Sequence, residues 1–145
     1  MKGVLKAIGF KKEKYGTIFT CEEAYVGLNS GVQNDIRGNP GKRQVTVLSE
    51  ETFNLVCREL DAKLPWTIRR ANLLISGIEL KDTKGRKIRI GEVLLEITGE
   101  TDPCYRMDEQ FDGLKNALFP DWRGGVTCRV LAEGNIKSGD LVELV

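Results

Sequence analysis

The chain has 145 residues, 22 Lys and Arg against 21 Asp and Glu, and 41% hydrophobic residues, which suits one folded domain over 1–145 and not a disordered segment. A net charge of +1 gives no global electrostatic reason to bind nucleic acid or an anionic membrane. Histidine is absent, which excludes Ser-His-Asp triads, Cys-His dyads, zincin helices and every histidine metal ligand.

In chain order, residues 3–10 predict an opening strand, and 17–26 hold a second. The apolar run at the N-terminus is far too short for a signal peptide. No later stretch approaches the ~18 apolar residues of a membrane-spanning helix, so no membrane association and a cytoplasmic location are expected. A loop rich in Gly, Asn and Pro covers 27–41. In the next segment Val45 and Val47 alternate with polar neighbours, as a half-buried strand requires. Ser49 then reads as a helix N-cap, with Glu50 and Glu51 in the first turn. Phe53, Val56, Cys57 and Leu60 form one apolar helical stripe behind it.

Further strands are expected over 72–78, 87–90 and 93–97, with a turn or bulge at Gly91-Glu92 where the apolar phase shifts. Residues 107–119 carry Phe111, Leu114 and Leu118 at helical spacing. Strands at 126–131 and 140–145 close the chain, separated by a tight turn over 134–140 with glycine near both ends. Seven or more short strands and two helices predict a mainly-β barrel with small helical insertions.

Four cysteines, Cys21, Cys57, Cys104 and Cys128, are scattered without a Cys-x-x-Cys pair, so no zinc ribbon, thioredoxin-type site or other metal centre is indicated. Cys57 falls on the apolar stripe and reads as core. Cys104 stands where a strand gives way to a helix, with Pro103 before it and Arg106 after it. Backbone N–H groups at a helix start and a nearby guanidinium favour a thiolate, while Glu100 and Asp102 oppose it. Reactive thiol and partly buried loop cysteine both remain open on these grounds. Arg37, Lys42 and Arg43 flank a loop containing Gly38 and Gly41, and Arg123 precedes Gly124-Gly125; such segments suit either an anion or plain solvated charge. The Gly41-Lys42 pair fails as a phosphate loop, since Arg43 takes the Ser/Thr position.

Several of these motifs together resemble the MOSC domain, the module named for the C-terminal part of molybdenum cofactor sulfurases. Pro103-Cys104, Arg123-Gly124-Gly125 and the segment from Gly134 to Val142 match that family's C-terminal pattern. Asp35 and Arg43-Gln44-Val45 match its N-terminal loop and strand, with Asn34 and Arg37 in place of a glycine and a histidine. Asn72 matches an Asn that follows a Glu in the family; here Ala71 precedes it.

The resemblance implies a closed barrel of the MOSC and pyruvate-kinase-barrel type, binding molybdenum cofactor (molybdopterin). It implies Cys104 as a persulfide sulfur carrier, Arg43, Asn72, Arg123 and Gly124 around the cofactor, and Asp35 ordering the loop. It also implies a pyridoxal-phosphate-dependent cysteine desulfurase as sulfur donor and a molybdoenzyme or metal–sulfur acceptor. A sulfur transferase, a non-catalytic cofactor carrier and a molybdenum-dependent reductase component are the three activities compatible with this set.

Overall fold

The computed structural model describes residues 1–102 and 106–145. Cys104 and its neighbours Pro103 and Tyr105 lie outside the described residues.

The first strand, β1 (Lys2–Phe10), sends Gly3 and Leu5 inward while Lys2, Val4 and Lys6 face solvent. Its register against β6 (Leu73–Ser76) shifts between Leu5 and Ala7, so Ile8 enters the same interior as Leu5 despite its even number. β5 (Val45–Ser49) runs parallel to β6, and a parallel neighbour needs a long crossover. That crossover is helix α1 (Glu50–Glu59) followed by a 3₁₀ turn, Trp66–Arg69. Ser49 caps α1 as its sequence predicts: its hydroxyl accepts from the Thr52 N–H at 3.3 Å.

The remaining strands are antiparallel to their neighbours. β7 (Lys87–Ile90) and β8 (Val93–Glu100) form a hairpin through Gly91, whose φ of 59° suits glycine. β9 (Val126–Ala132) joins β8 to β5, and β11 (Leu141–Leu144) joins β7 to β1. The circuit β1-β11-β7-β8-β9-β5-β6 therefore returns to β1, a closed barrel of seven strands. Leu5, Val47, Leu73, Ile88, Leu95 and Val142 fill it, each essentially without solvent exposure; each such side chain stabilises the fold by about 1.5–3 kcal/mol. Outside the wall, Leu48, Phe53, Ala71 and Leu74 form a second apolar layer under the crossover.

The structure departs from the sequence reading in three places. The expected second strand over 17–26 is two strands, β2 (Phe19–Cys21) and β3 (Glu23–Gly27), with a bend at Glu22 between them. β2 pairs with the barrel while β3 leaves it for a small sheet with β4 (Gly31–Val32) and β10 (Gly134–Lys137). The expected turn over 134–140 is thus half strand; only its second half turns, where Asp140 accepts the Lys137 N–H at 2.8 Å and Gly139 takes φ 98°. Finally, the expected helix over 107–119 is broken by Gly113 at φ 87° into α2 (Arg106–Gln110) and α3 (Leu114–Leu118). Among the described residues no helix is long and apolar enough to cross a membrane.

Candidate functional site

Strands β1, β5 and β6 end or begin together at one mouth of the barrel, and the residues just beyond them enclose a cavity of about 380 Å³. Asn72 holds this junction together. Its side-chain oxygen accepts the Thr46 N–H at 3.0 Å, and its amide donates to the Gly9 carbonyl at 3.1 Å. The Thr46 hydroxyl in turn accepts the Asn72 N–H at 3.0 Å. One buried side chain therefore ties three strands, while lining the cavity.

The loop that follows β4 is fastened to the same mouth. Asp35 accepts the Lys11 N–H at 3.0 Å, and Ile36 donates its N–H to the Lys11 carbonyl at 2.8 Å. Asn34 has φ 69°, the left-handed conformation in which glycine and asparagine are at home, so asparagine serves where the resemblance expects glycine. Buried Gln44 closes the loop from behind. Its amide donates to the Leu28 and Gly38 carbonyls at 2.8 and 3.1 Å, and its oxygen accepts the Val130 N–H at 2.9 Å.

Among the described residues, six cations line the cavity, Lys11, Arg37, Arg43, Arg69, Arg70 and Arg106, against three carboxylates, Asp35, Asp102 and Glu109. The surroundings of Lys11 disfavour its charged form. Burial pushes its amine below the usual lysine range; Asp35 acts against that, and Arg70, Arg37 and Arg43 add to it. Burial and then Arg37 lower Arg70 in the same sense. A mouth with this charge excess suits a multiply charged anion, and its volume falls in the range of about 300–1,000 Å³ common for small-molecule sites.

Of the site residues the sequence suggested, Asp35, Arg43 and Asn72 come together on this cavity. Gly124 is not on the lining; its carbonyl accepts at 3.0 Å from Nε of Arg69, which is. A Cβ at Gly124 would stand 2.6 Å from the Thr101 carbonyl oxygen, so glycine is needed there for close approach. Arg123 sits elsewhere: its guanidinium forms an ion pair with Glu59 and donates to the Ala117 carbonyl at 3.1 Å, tying α1 to α3. It borders a different depression, beside Ser49 and Thr52. Ala71, where the resemblance expects glutamate, is buried in the apolar layer under the crossover.

Lys11, Tyr15, Arg69 and Arg70 were not singled out from sequence, and Arg106 was read only as a charge beside Cys104, although the Arg69-Arg70 doublet, separated from Asn72 by Ala71 alone, was a usable signal. Of the other cysteines, Cys128 is fully buried and its thiol is pushed up by burial, while Cys21 and Cys57 are half-buried away from the cavity lining. Among the described residues, no cluster of three or more Cys, Asp or Glu is arranged to hold a metal ion.

Comparison with curated protein sequences gives no match. Solved structures give several. The YuaD protein from Bacillus subtilis superposes with a TM-score of 0.85 at 18% identity, covering 99% of this chain and 96% of that one. YiiM from Escherichia coli gives 0.76 at 19% identity, over 100% of this chain and 70% of that one. YiiM from Geobacillus stearothermophilus gives 0.77 at 18% identity, over 100% and 75%. At such identities the likeness speaks for the barrel alone. The sequence itself carries the assignment, because the family model for the MOSC domain matches residues 29–143: the chain belongs to the MOSC domain family.

Proposed function

We propose that the protein binds molybdenum cofactor in the cationic cavity and carries sulfur as a persulfide on Cys104. The observation that carries this reading is the cavity's charge: six cations against three carboxylates, with Asp102 and Arg106, the described residues on either side of Cys104 in sequence, both on its lining. The donor set fits the group. A pterin bearing a phosphate and a dithiolene is anionic, and Lys11, Arg37 and Arg43 offer it charged donors that form strong hydrogen bonds to phosphate oxygens. Asp35 and Asn72 serve by fixing the loop and the strand ends through the bonds to Lys11, Thr46 and Gly9. When bound, the cofactor would supply the metal–sulfur centre that receives or uses the carried sulfur.

Loading of Cys104 is a sulfur exchange without net oxidation. Its thiolate attacks the terminal sulfur of a persulfide on a cysteine desulfurase, a pyridoxal-phosphate enzyme acting as partner. An S–S bond forms on Cys104 as the donor's S–S bond breaks, and the donor cysteine departs as a thiolate. In sequence, Arg106 two residues on is the charge that would favour the attacking thiolate, with Glu100 and Asp102 opposing it.

The test is intact-protein mass spectrometry with peptide mapping after incubation with free cysteine and a cysteine desulfurase. One added sulfur on Cys104, lost in Cys104→Ala with the fold retained, is the expected result. Sulfur on Cys21, Cys57 or Cys128, or undiminished loading of Cys104→Ala, overturns it. The cavity's cations also support a second reading, a cofactor carrier, because none of them depends on Cys104. Cofactor affinity that survives Cys104→Ala, in a protein that never gains sulfur, would select that reading.

A further inference from the structure

The segment 11–16, between β1 and β2, crosses the edge of the cavity and is held there from two sides. On one side Arg70, just ahead of β6, donates from Nη2 to the Gly16 carbonyl at 2.7 Å. On the other, Arg106 at the start of α2 donates from Nη2 to the Tyr15 hydroxyl at 2.8 Å. The carbon of that guanidinium lies 3.8 Å from the centre of the Tyr15 ring. Tyr15 holds φ at 62°, a costly conformation for an aromatic residue, and it is 55% exposed, so apolar burial is not what keeps it there. The two arginine contacts restrain the far end of the segment at Tyr15 and Gly16, while Lys11 at its near end is fastened separately by Asp35 and Ile36.

Both arginines line the cavity, and both spend these hydrogen bonds on neutral acceptors, a carbonyl and a phenol. Both bonds are already charge-assisted on the donor side, and an anionic acceptor adds a direct Coulomb attraction that a neutral carbonyl or phenol lacks. A multiply charged oxyanion entering beside Lys11, Arg37 and Arg43 would also offset the repulsion that Arg70, Arg37 and Arg43 add to the effect of burial on Lys11. Such a ligand therefore competes with the strap for its own fasteners.

We propose that segment 11–16 is a ligand-released strap: binding of a phosphate-class polyanion in the cavity draws Arg70 and Arg106 away from Gly16 and Tyr15 and frees the segment. The coupling is reciprocal. Whatever free energy the strap gains from the two arginines is withheld from the ligand, so loosening the strap tightens binding. This inference rests on the reading of the cavity as the ligand site and requires nothing of Cys104.

Inorganic pyrophosphate titrated into the full-length protein at fixed ionic strength, with calorimetry and amide hydrogen exchange of residues 11–16, tests it. Saturation is expected to speed exchange across 11–16 by roughly tenfold while β1 stays protected. Trypsin, which cuts after Lys11, Lys12 and Lys14 within the strap, should nick the bound form faster. Tyr15→Gly suits a φ of 62° and removes the Arg106 contact, so it should raise pyrophosphate affinity roughly fivefold. Tyr15→Phe, which loses only the hydroxyl, should raise it about twofold. Slower or unchanged exchange on saturation, weaker or unaltered binding by Tyr15→Gly, or no pyrophosphate binding at all overturns the strap. Strap release in a protein that never loads sulfur would sink the Cys104 reading alone, and sulfur loading with an unresponsive strap would sink this one alone.

Discussion

The segments around Arg43 and Arg123 look alike in sequence, each an arginine beside flexible glycines, and the fold uses them in opposite ways. Arg43 is exposed at the cavity mouth, and nothing stands within 4 Å of where a Cβ on the neighbouring Gly41 would be. Arg123 is mostly buried, its side chain 14% exposed, and it is occupied by Glu59 and the Ala117 carbonyl. The glycines after it are wedged against other strands: a Cβ on Gly125 would fall 2.2 Å from the Val47 carbonyl oxygen. What separates the two is the presence of a carboxylate within reach. An arginine paired with Glu59 becomes a brace, whereas one that shares a cavity lining with Lys11, Arg37 and Arg70 is, in the proposed function, a receptor for anions.

That contrast can be broken or sharpened by substitution. Gly125→Ala should act as a fold mutation of the severe kind. Its φ of 88° and the clash with Val47 should together cost roughly 3–5 kcal/mol, read as a fall in the denaturant midpoint. Next in size is the arginine pair. Arg123→Ala should cost about 1–2 kcal/mol of stability and change sulfate affinity less than twofold. Arg43→Ala should leave stability within about 0.5 kcal/mol and weaken sulfate binding roughly tenfold. If the two variants exchange these phenotypes, the division into brace and receptor is wrong.

The smallest effect concerns pH. Because burial and its cationic neighbours hold Lys11 below the ordinary lysine range, its charge is lost as pH rises through that lowered value. Sulfate does not titrate there. Its affinity should decline by a few-fold as pH rises, at lower pH than an ordinary lysine would require, and Lys11→Met should flatten that decline at a lower overall affinity. A profile of the same shape in both proteins would remove Lys11 from the receptor.

Local chemistry explains how much of this was readable in advance. The alternation in β5 and β7 and the Ser49 cap depend on neighbours a few residues away, so the sequence carries them openly. β10 was read as a turn because Gly134 and Gly139 bracket it, yet it is a strand because β3 lies opposite, with Gly134 against Val26. Asp35, Arg43 and Asn72 were named through the family resemblance. Lys11 had no local mark, and the Arg69-Arg70 doublet gains its meaning only because the pairing of β1 with β6 brings the end of one strand beside the start of the other. Arg123 could not be told from Arg43 without knowing that α1 delivers Glu59 beside it.

The pairing of β1 with β11, which sets Lys2 against Glu143, also has a consequence for the order of events in folding. The barrel's first stave must wait for its last one, with nearly the whole chain in between. Until β11 docks, β1 and β7 both present open edges, and one side of the apolar interior is uncovered. Closing so long a loop has a large entropic cost that is recovered only when the final contacts form, which favours slow folding. On the ribosome the nascent chain would therefore remain an open, adhesive sheet until Leu141–Leu144 emerged from the exit tunnel, and this last short strand would decide when the protein ceases to be vulnerable to aggregation.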